Sequence, residues 1–456
     1  MRNDTANAKK FFVLKLFNSR KKKSTELILQ PGQTLNIYLC GPTVYDHIHI
    51  GNLRPVIIFD VLFRLLLHLS IQVNYIQNIT DIDDKIIARA QKEKKNESEI
   101  SRHYAKSYWA NLIRYNVLFP THWPQVSNYI PQIQDFISLL VKNGSAYQRT
   151  GEIFFRVEDN PEYGRLSGQN LAKLKEGTRE ITSANKENKR DFVLWKKTAV
   201  GKSWPSPWGA GRPGWHTECA VFINELMAGQ TIDIHGGGND LLFPHHENER
   251  IQYLAANNRE LSQIWLHIAH INWGQEKMSK SLGNVISAKH FCQKYGANVL
   301  RYLILNSQYN QVINLSEELI KQATDYIQKI KNLLKKLRFY LYLNKIKIDV
   351  QNATLQQEIV NNLLNNLNTV KVLFFLEQII NSLNKFIDQR ENYNENFSET
   401  INNFYLVLNL LGFRFTLPIY NLEIKLLIKE WQDWRKKSDY VQADKVRKKL
   451  QALDII

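Results

Sequence analysis

Cysteine is scarce in this sequence, and its scarcity excludes a scaffold held together by disulfides. Cys40, Cys219 and Cys292 are the only cysteines in 456 residues, and they lie far apart along the chain. Small secreted domains instead carry many cysteines at short spacings. We therefore expect a cytoplasmic protein whose cysteines stay reduced.

Long apolar runs are also lacking. The longest extends from Val56 to Val73, and Asp60, Arg64 and His68 interrupt it at intervals of four residues. This spacing places the three polar side chains on one narrow stripe, so the segment predicts a mostly buried helix and not a membrane span. The first residues contain no secretory apolar region. We expect no membrane association.

Acidic residues are too few to balance the basic ones. The chain contains 43 Asp and Glu against 60 Lys and Arg, which gives a formal net charge of +17. An excess of this size produces a positive field that attracts polyanions, nucleic acid above all. An AT-rich genome, which favours Lys, Asn and Ile codons, is an alternative origin of the excess, and composition alone leaves both open.

Glycine and proline nearly disappear from the last third of the chain. From about residue 314 onward, Gly412 is the only glycine and Pro418 the only proline, while Leu, Ile, Asn and Lys recur at helical spacing. This pattern predicts an all-α region. Within it, the Asn-rich stretch 391–403 predicts a loop.

The first two thirds of the chain alternate between strand and helix patterns. Residues 35–40 read as a strand, a helix begins near Gly51, and 73–78 form the next apolar run before a polar segment. Such a βαβ unit predicts a parallel sheet with a ligand site beyond the strand ends. The pattern becomes irregular from 123 to 208, where 152–157 is hairpin-like, so we interpret this part as an insertion.

The strand-to-helix turn between Cys40 and Asn52 suits an anionic ligand. Backbone N–H groups and the helix dipole point towards such a turn. His49 can donate to a phosphate oxygen, and Gly51 allows a nucleotide to approach the backbone. Taken alone, the segment is equally compatible with an ordinary helix start.

A second segment, 276–284, suits a loop that closes on polyphosphate. Its two lysines, Lys277 and Lys280, are three residues apart and alternate with serines. Fixed cations of this kind stabilise charge that develops during a reaction. A solvated basic loop is the ordinary interpretation. However, His-Ile-Gly-Asn at 49–52 followed by Lys-Met-Ser-Lys-Ser at 277–281 resembles the signature pair of class I aminoacyl-tRNA synthetases.

A third group of residues can bind a metal ion. His245 and Glu249 are one helical turn apart and can share an ion. Cys40 ends the first strand and Cys219 follows a Gly- and Trp-containing turn, so each can bring a thiolate to the same sheet edge. For any one of these residues an ordinary structural position is the commoner interpretation. Their surroundings nonetheless closely resemble cysteinyl-tRNA synthetases, in segments 78–85, 191–196, 211–219, 235–240 and 244–249.

This resemblance implies a reaction and a set of ligands. ATP with Mg²⁺ would activate cysteine as cysteinyl-adenylate, and the cysteinyl group would pass to the terminal ribose of tRNA(Cys). One zinc ion would select the cysteine thiolate, because zinc prefers a soft thiolate to the hydroxyl of serine, which a shaped pocket rejects only weakly. The implied zinc ligands are Cys40, Cys219, His245 and Glu249.

The resemblance also implies the roles of the remaining site residues. The implied catalytic residues are His49, Asn52, Lys277 and Lys280. The implied ATP contacts are Pro42, Thr43, His49, Gly51, Asn52 and Lys280. The implied contacts to cysteine are Cys40, Gly41, Thr80, Trp215 and His235.

The implied fold is α/β: a Rossmann-like parallel-sheet catalytic domain with an insertion, followed by an all-α C-terminal tRNA-binding region. The insertion is too short to house an editing domain, and we expect a monomer rather than an oligomer. The expected divisions are 12–122 and 209–310 for the two halves of the catalytic domain, 123–208 for the insertion, 311–412 for a helical bundle, and 413–456 for an anticodon-binding segment.

The C-terminal segment carries two tryptophans beside many basic residues. We expect Trp431 and Trp434 to pack in the core and the basic residues to contact phosphates. These basic residues are Arg435, Lys436, Lys437, Lys445, Arg447, Lys448 and Lys449.

Two departures from the family pattern and two alternative functions accompany this hypothesis. Asn52 replaces a histidine, and the sequence ends at Ile456, where the family usually continues in a short Gly- and Trp-containing tail.

A ligase that joins cysteine to an amino sugar is one alternative, although such relatives lack the tRNA-reading helices. An inactive RNA-binding or zinc-scaffold protein is the other, although the lysines and the metal-ligand set are intact.

Overall fold

A computed structural model describes residues 11–169, 186–274, 276–277, 285–348, 355–389 and 394–456. The strands are β1 (Phe12–Asn18), β2 (Lys23–Leu29), β3 (Thr34–Leu39), β4 (Gln72–Gln77), β5 (Ala146–Arg149), β6 (Glu152–Phe155), β7 (Phe192–Lys197), β8 (Gly211–Pro213), β9 (Ile232–Gly238), β10 (Ser262–Ile268), β11 (Ile271–Trp273), β12 (Glu276–Lys277) and β13 (Ile313–Leu315).

The helices of the described residues fall into two groups. Those of the first two thirds of the chain are α1 (Ile50–His68), α2 (Asp84–Glu93), α3 (Glu97–Arg114), α4 (Ile130–Lys142), α5 (Glu218–Leu226), α6 (Glu247–Asn257), α7 (Ala288–Tyr295) and α8 (Ala297–Leu305). Those of the last third are α9 (Glu317–Leu343), α10 (Gln357–Leu364), α11 (Thr369–Gln389), α12 (Glu395–Leu410), α13 (Leu422–Lys436) and α14 (Tyr440–Ala452). None of the helices in these ranges is both long and apolar enough to cross a membrane.

A parallel sheet of four strands, in the order β10-β9-β3-β4, forms the centre of the first two thirds of the chain. Its strands carry Leu, Ile, Val and aromatic side chains that are buried on both faces, as expected where helices cover a parallel sheet. α1 connects β3 to β4 and packs on this sheet. The predicted βαβ unit and the predicted α/β fold are therefore confirmed, and the carboxyl ends of all four strands meet at one edge.

The inserted part contains a second sheet, which is antiparallel and has the order β5-β6-β7-β8. The predicted hairpin is present, since β5 and β6 are joined by Thr150 and Gly151, both with positive φ. This is the backbone that a two-residue hairpin turn requires. The last strand of this sheet, β8, lies at 211–213 and leads directly into α5.

The prediction of a loop at 391–403 is wrong for the described part of that stretch. α12 begins at Glu395, and the side chain of Asn394 caps it by accepting a hydrogen bond from the backbone N–H of Phe397 at 2.9 Å. Phe397, Ile401 and Phe404 recur at helical spacing and are buried. The high asparagine content concealed this apolar periodicity, which decides the structure.

The polar stripe on α1 is buried in a cluster of charged groups. Oδ2 of Asp60 accepts hydrogen bonds from Arg64, at 3.0 Å, and from Arg301 of α8. Its other oxygen accepts from the backbone N–H of Leu118 at 2.8 Å. Arg301 also donates to the carbonyl of Leu411 at 2.8 Å. The cluster therefore connects the parallel-sheet part to the end of α12.

Replacing Asp60 with alanine should destabilise the protein strongly, because two buried guanidinium groups would lose their counter-charge. We expect the free energy of unfolding to fall by about 3–5 kcal/mol, as measured by urea denaturation. Glu26→Ala is the matched control, since Glu26 pairs with Lys15 where both side chains are about half exposed. Its loss should cost at most about 1 kcal/mol. Equal effects of the two substitutions would contradict a structural role for the cluster.

The C-terminal helices α13 and α14 dock on α9. Lys331 of α9 pairs with Asp454 at 3.2 Å, and Lys335 pairs with the same carboxylate. Trp431 packs against Phe339, with ring centroids 5.6 Å apart. Trp431 and Trp434 are partly buried against the apolar cluster of these helices, which confirms their predicted structural role.

Candidate active site and metal centre

Four candidate metal ligands converge at the carboxyl edge of the parallel sheet. Cys40 directly follows β3, and its backbone N–H donates to the carbonyl of Gly236 in β9 at 3.0 Å. Cys219 lies in the first turn of α5. His245 lies two residues before α6, and Glu249 lies in the first turn of α6. One ligand atom from each of the four lies within 4.8 Å of the others.

The distances within this group suit a tetrahedral ion. The sulphurs of Cys40 and Cys219 are 3.8 Å apart, and a tetrahedral zinc with bonds of about 2.3 Å to sulphur separates two sulphurs by about 3.8 Å. Sγ of Cys219 is 3.7 Å from Nε2 of His245, and Sγ of Cys40 is 3.6 Å from Oε1 of Glu249. Nε2 of His245 and Oε1 of Glu249 are 2.7 Å apart and share a hydrogen bond, which an ion would replace.

The charges within the group favour a cation at its centre. Burial lowers the pKa of His245, but the Glu249 carboxylate and the Cys219 sulphur outweigh burial and raise that pKa to about 10. Burial opposes ionisation of Glu249 as well, yet His245 and His235 hold its pKa well below the usual range. Burial raises the pKa of the Cys40 thiol. In the absence of an ion, these groups therefore place a proton on His245. The proton lies where the two sulphurs and Oε1 of Glu249 face one another.

Four further histidines surround the ligands, and one of them, His216, lies with its Nδ1 3.0 Å from Nδ1 of His245. His235 binds Oε2 of Glu249 through Nε2 at 2.7 Å, which leaves Oε1 directed at the cysteines and His245. His246 approaches the sulphur of Cys40 at 3.3 Å and the ring of His267 at 2.8 Å. Cys40, His235, His246 and Glu249 form a second, overlapping group of possible metal ligands. Burial lowers the pKa of His267 to about 3, so its ring is neutral.

Sequence reasoning missed His246 and His267. His246 belongs to the motif that suggested His245, and its signal was the spacing of three residues to Glu249. His267 had no signal, because its position beside His246 depends on β10 pairing with β9, where His267 lies opposite Gly237. A Cβ atom on Gly237 would lie 2.9 Å from the ring of His246, so only glycine permits this approach.

The predicted contacts to cysteine lie next to the metal-ligand group. The indole of Trp215 stacks on the ring of His245, with centroids 4.3 Å apart. Thr80 is buried, and its hydroxyl donates to Oε1 of Glu218 at 2.9 Å. Gly41 has no room for a side chain, since a Cβ atom there would lie 1.7 Å from the carbonyl oxygen of Asn78. The structure thus brings Cys40, Gly41, Thr80, Trp215 and His235 to one region.

The predicted nucleotide-binding residues before position 60 lie between the end of β3 and the first turn of α1. His49 precedes the helix, and its backbone N–H donates to Oδ1 of Asn52 at 3.0 Å. Asn52 therefore caps the helix through its side-chain oxygen. Pro42 and Thr43 are held by backbone pairing with Thr80, with Thr80 N–H donating to the carbonyl of Pro42 at 3.2 Å. Gly51 lies in the first helical turn.

The lysine segment is described only in part. Lys277 ends β12, and Lys280 lies outside the described residues. The chain that follows returns to the predicted nucleotide segment, because Ile50 N–H donates to the carbonyl of Ile286 at 3.0 Å and Ala288 N–H donates to that of Ile48 at 3.0 Å. The first signature segment is thus tied, at 48–50, to residues 286–288, which follow the lysine segment in the chain.

Comparison with known proteins decides the family of this chain. The family described as the class I (C) catalytic domain of tRNA synthetases matches residues 28–325. A cysteine–tRNA ligase of Mycoplasma capricolum subsp. capricolum is 43% identical over 443 residues, which cover 96% of this chain and 99% of that relative. One of Mycoplasma mycoides subsp. mycoides is 42% identical over 441 residues, with the same two coverages. This chain belongs to the cysteine–tRNA ligase family.

The predicted membership of the class I synthetases is therefore confirmed. The methionyl-tRNA synthetase of Mycobacterium tuberculosis, in complex with methionyl-adenylate, has a similar fold, with a TM-score of 0.59, 13% identity and coverage of 83% of this chain and 89% of that one. At this identity the likeness concerns the fold alone.

Proposed function

We propose that this enzyme activates cysteine with ATP and transfers it to tRNA(Cys), and that a zinc ion held by Cys40, Cys219, His245 and Glu249 selects the cysteine. The observation that carries this proposal is the convergence of these four ligand atoms at the carboxyl edge of the parallel sheet. The cysteine–tRNA ligase relatives support the reaction, and the donor set supports the metal, since two thiolates, an imidazole and a carboxylate suit zinc.

The protein groups around the ligands prepare them for the ion. His235 orients Glu249, and a hydrogen-bonded neighbour of this kind fixes the direction in which a ligand points. Trp215 fixes the plane of the His245 ring. When bound, zinc would lower the pKa of a cysteine thiol and bind the resulting thiolate in preference to a serine hydroxyl. Selection against serine then follows from the ligand set and requires no editing domain.

Adenylate formation proceeds in the proposal by attack of the cysteine carboxylate on the α-phosphate of ATP, with release of pyrophosphate. The N-terminus of α1 contributes N–H groups and its dipole to bind phosphate, and His49 donates to the same region. Lys277 and Lys280 would stabilise the charge that develops on the leaving pyrophosphate, with Mg²⁺ accompanying the ATP. The assignments of His49, Asn52, Lys277 and Lys280 are proposals, as are the ATP contacts of Pro42, Thr43 and Gly51.

An exchange assay tests the reaction. Wild-type enzyme with ATP and cysteine should incorporate labelled pyrophosphate into ATP, whereas serine at the same concentration should give a rate near background. It should then charge tRNA(Cys). Cysteine-dependent exchange without charging would favour the amino-sugar ligase, and no exchange with any amino acid would favour the inactive relative.

The chain's reduced cysteines and its use of ATP and tRNA fit a cytoplasmic enzyme.

The helical region would serve tRNA binding and not adenylate formation. Lys436, Lys437, Lys448 and Lys449 are all exposed at the end of α13 and along α14, where they can contact phosphates of the tRNA. Replacing these four lysines with alanine should leave pyrophosphate exchange within a few-fold of wild type. Aminoacylation should show a raised KM for tRNA and a shallower dependence on salt, because fewer counterions are released on binding.

A second variant with the same loss of charge is the control for this prediction. Replacing Lys92, Lys94, Lys106 and Lys142 with alanine removes four exposed lysines from the part of the chain before residue 150. This control separates local phosphate contacts from the long-range field of the whole protein. If both variants raise KM equally, or if neither changes the salt dependence, the basic face of α13 and α14 has no specific role in tRNA binding.

A further inference from the structure

Glu218 presents a buried carboxylate oxygen that the metal centre does not use. It is the first residue of α5, next to Cys219, and only 1% of the residue is exposed. Its Oε1 accepts a hydrogen bond from the hydroxyl of Thr80 at 2.9 Å. Its Oε2 has no hydrogen-bond partner among the residues that the structure describes. Buried polar atoms are nearly always paired, so this oxygen calls for a donor from outside the chain.

A row of hydrogen bonds fixes the position of this carboxylate. The backbone N–H of Gly41 donates to Oδ1 of Asn78 at 2.7 Å, and Nδ2 of Asn78 donates to the hydroxyl oxygen of Thr80 at 3.1 Å. Because the Thr80 hydroxyl donates its proton to Glu218, it has no proton left to donate. One lone pair on its oxygen can still accept a hydrogen bond. Burial raises the pKa of Glu218, so its carboxylate is ionised when a cation lies beside it.

The row also lies between the two candidate zinc-binding cysteines. Gly41 directly follows Cys40 at one end, and Glu218 directly precedes Cys219 at the other. A molecule whose sulphur reaches these cysteines thus has Glu218 and Thr80 beside it. We propose that Glu218 binds the α-ammonium group of cysteine through Oε2, with the hydroxyl oxygen of Thr80 as a second acceptor. This assignment rests on the function proposed above.

Charge and chemistry favour this ligand group over others. Oε2 of Glu218 is buried without a hydrogen-bond partner, and no described basic side chain forms an ion pair with this residue. An ammonium group brings one positive charge and three donors, which match acceptors on Glu218 and Thr80. The carboxylate of cysteine is left free, as it must be to attack ATP. Glu218 would therefore distinguish cysteine from thiols that lack an amino group.

The experiment compares ligands and a protein variant. Inhibition of pyrophosphate exchange is measured with cysteamine, which retains the thiol and ammonium groups, and with 3-mercaptopropionate, which retains the thiol and carboxylate groups. Wild-type enzyme should bind cysteamine at least about tenfold more tightly. Glu218→Gln retains the acceptor for Thr80 but not the charge. It should raise the KM for cysteine at least about tenfold and change the inhibition constant of 3-mercaptopropionate by less than about threefold.

Controls separate ligand binding from structure and from the proposed function. Glu225→Gln alters an exposed carboxylate on the same helix and should behave as wild type. Zinc content and thermal melting report whether Glu218→Gln is folded, and Glu218→Asp, which keeps the charge, should recover part of the affinity for cysteine. Equal weakening of cysteine and 3-mercaptopropionate, or an unchanged KM, would overturn the proposal. So would wild-type enzyme that binds 3-mercaptopropionate as tightly as cysteamine, a result that needs no variant. Failure of the proposed function would instead appear as wild-type enzyme without cysteine-dependent exchange.

Discussion

Replacing Cys219 with serine should abolish zinc binding and cysteine activation together. Serine keeps the size of the side chain but offers zinc a hydroxyl in place of a thiolate, which binds the ion far less well. Substituting a group that merely orients a metal ligand costs about 10–100-fold in affinity or activity, so loss of a ligand should cost more than about 100-fold. We expect zinc to fall from about one ion per chain to near zero, with cysteine-dependent pyrophosphate exchange near background.

Cys292→Ser is the matched control for this prediction. Cys292 lies in α7 and is partly buried, but it belongs to neither group of possible metal ligands. Its substitution should leave the zinc content and the exchange rate close to those of wild type. A Cys219→Ser enzyme that loses zinc but still prefers cysteine to serine would contradict selection by the metal. One that keeps both zinc and activity would show that Cys219 is an ordinary buried cysteine.

The placement of three of the four ligands could be anticipated from general rules. Cys40 lies at the end of a strand, and parallel strands end at a common edge. His245 and Glu249 are four residues apart at the start of a helix, which brings them to one face. The resemblance to synthetases supplied Cys219, whose position depends on how α5 follows the inserted sheet.

Contacts between distant parts of the chain could not be predicted in this way. Thr80 and Glu218 are 138 residues apart, and Asp60 and Arg301 are 241 residues apart. Each pair depends on packing between elements that share no local pattern. The α12 helix shows a different limit, since its asparagines are typical of a loop although its apolar residues fit a helix. Local propensity is a weak guide wherever tertiary burial opposes it.

Replacing Lys280 with alanine should slow pyrophosphate exchange by roughly 100-fold or more, the cost of removing one donor to a transition state. The full negative charge develops on pyrophosphate only as it departs. A lysine that binds this charge therefore contributes more to the rate than to substrate binding. We therefore expect kcat to fall while the KM for cysteine stays within a few-fold and the zinc content is unchanged. Steady-state exchange kinetics with varied cysteine and ATP provide the measurement.

Lys289→Ala provides the comparison that gives this result its meaning. Lys289 is exposed on α7, directly after the 286–288 segment that pairs with 48–50, so it shares the local charge but not the signature position. If charge near the site were sufficient, the two substitutions would slow exchange equally. If Lys280 acts on the leaving pyrophosphate, only Lys280→Ala lowers kcat, because stabilisation of a transition state requires a fixed position. A Lys280→Ala enzyme with a near-normal rate would instead identify 277–281 as a solvated turn, and the role of closing on ATP would have to pass to other groups near His49.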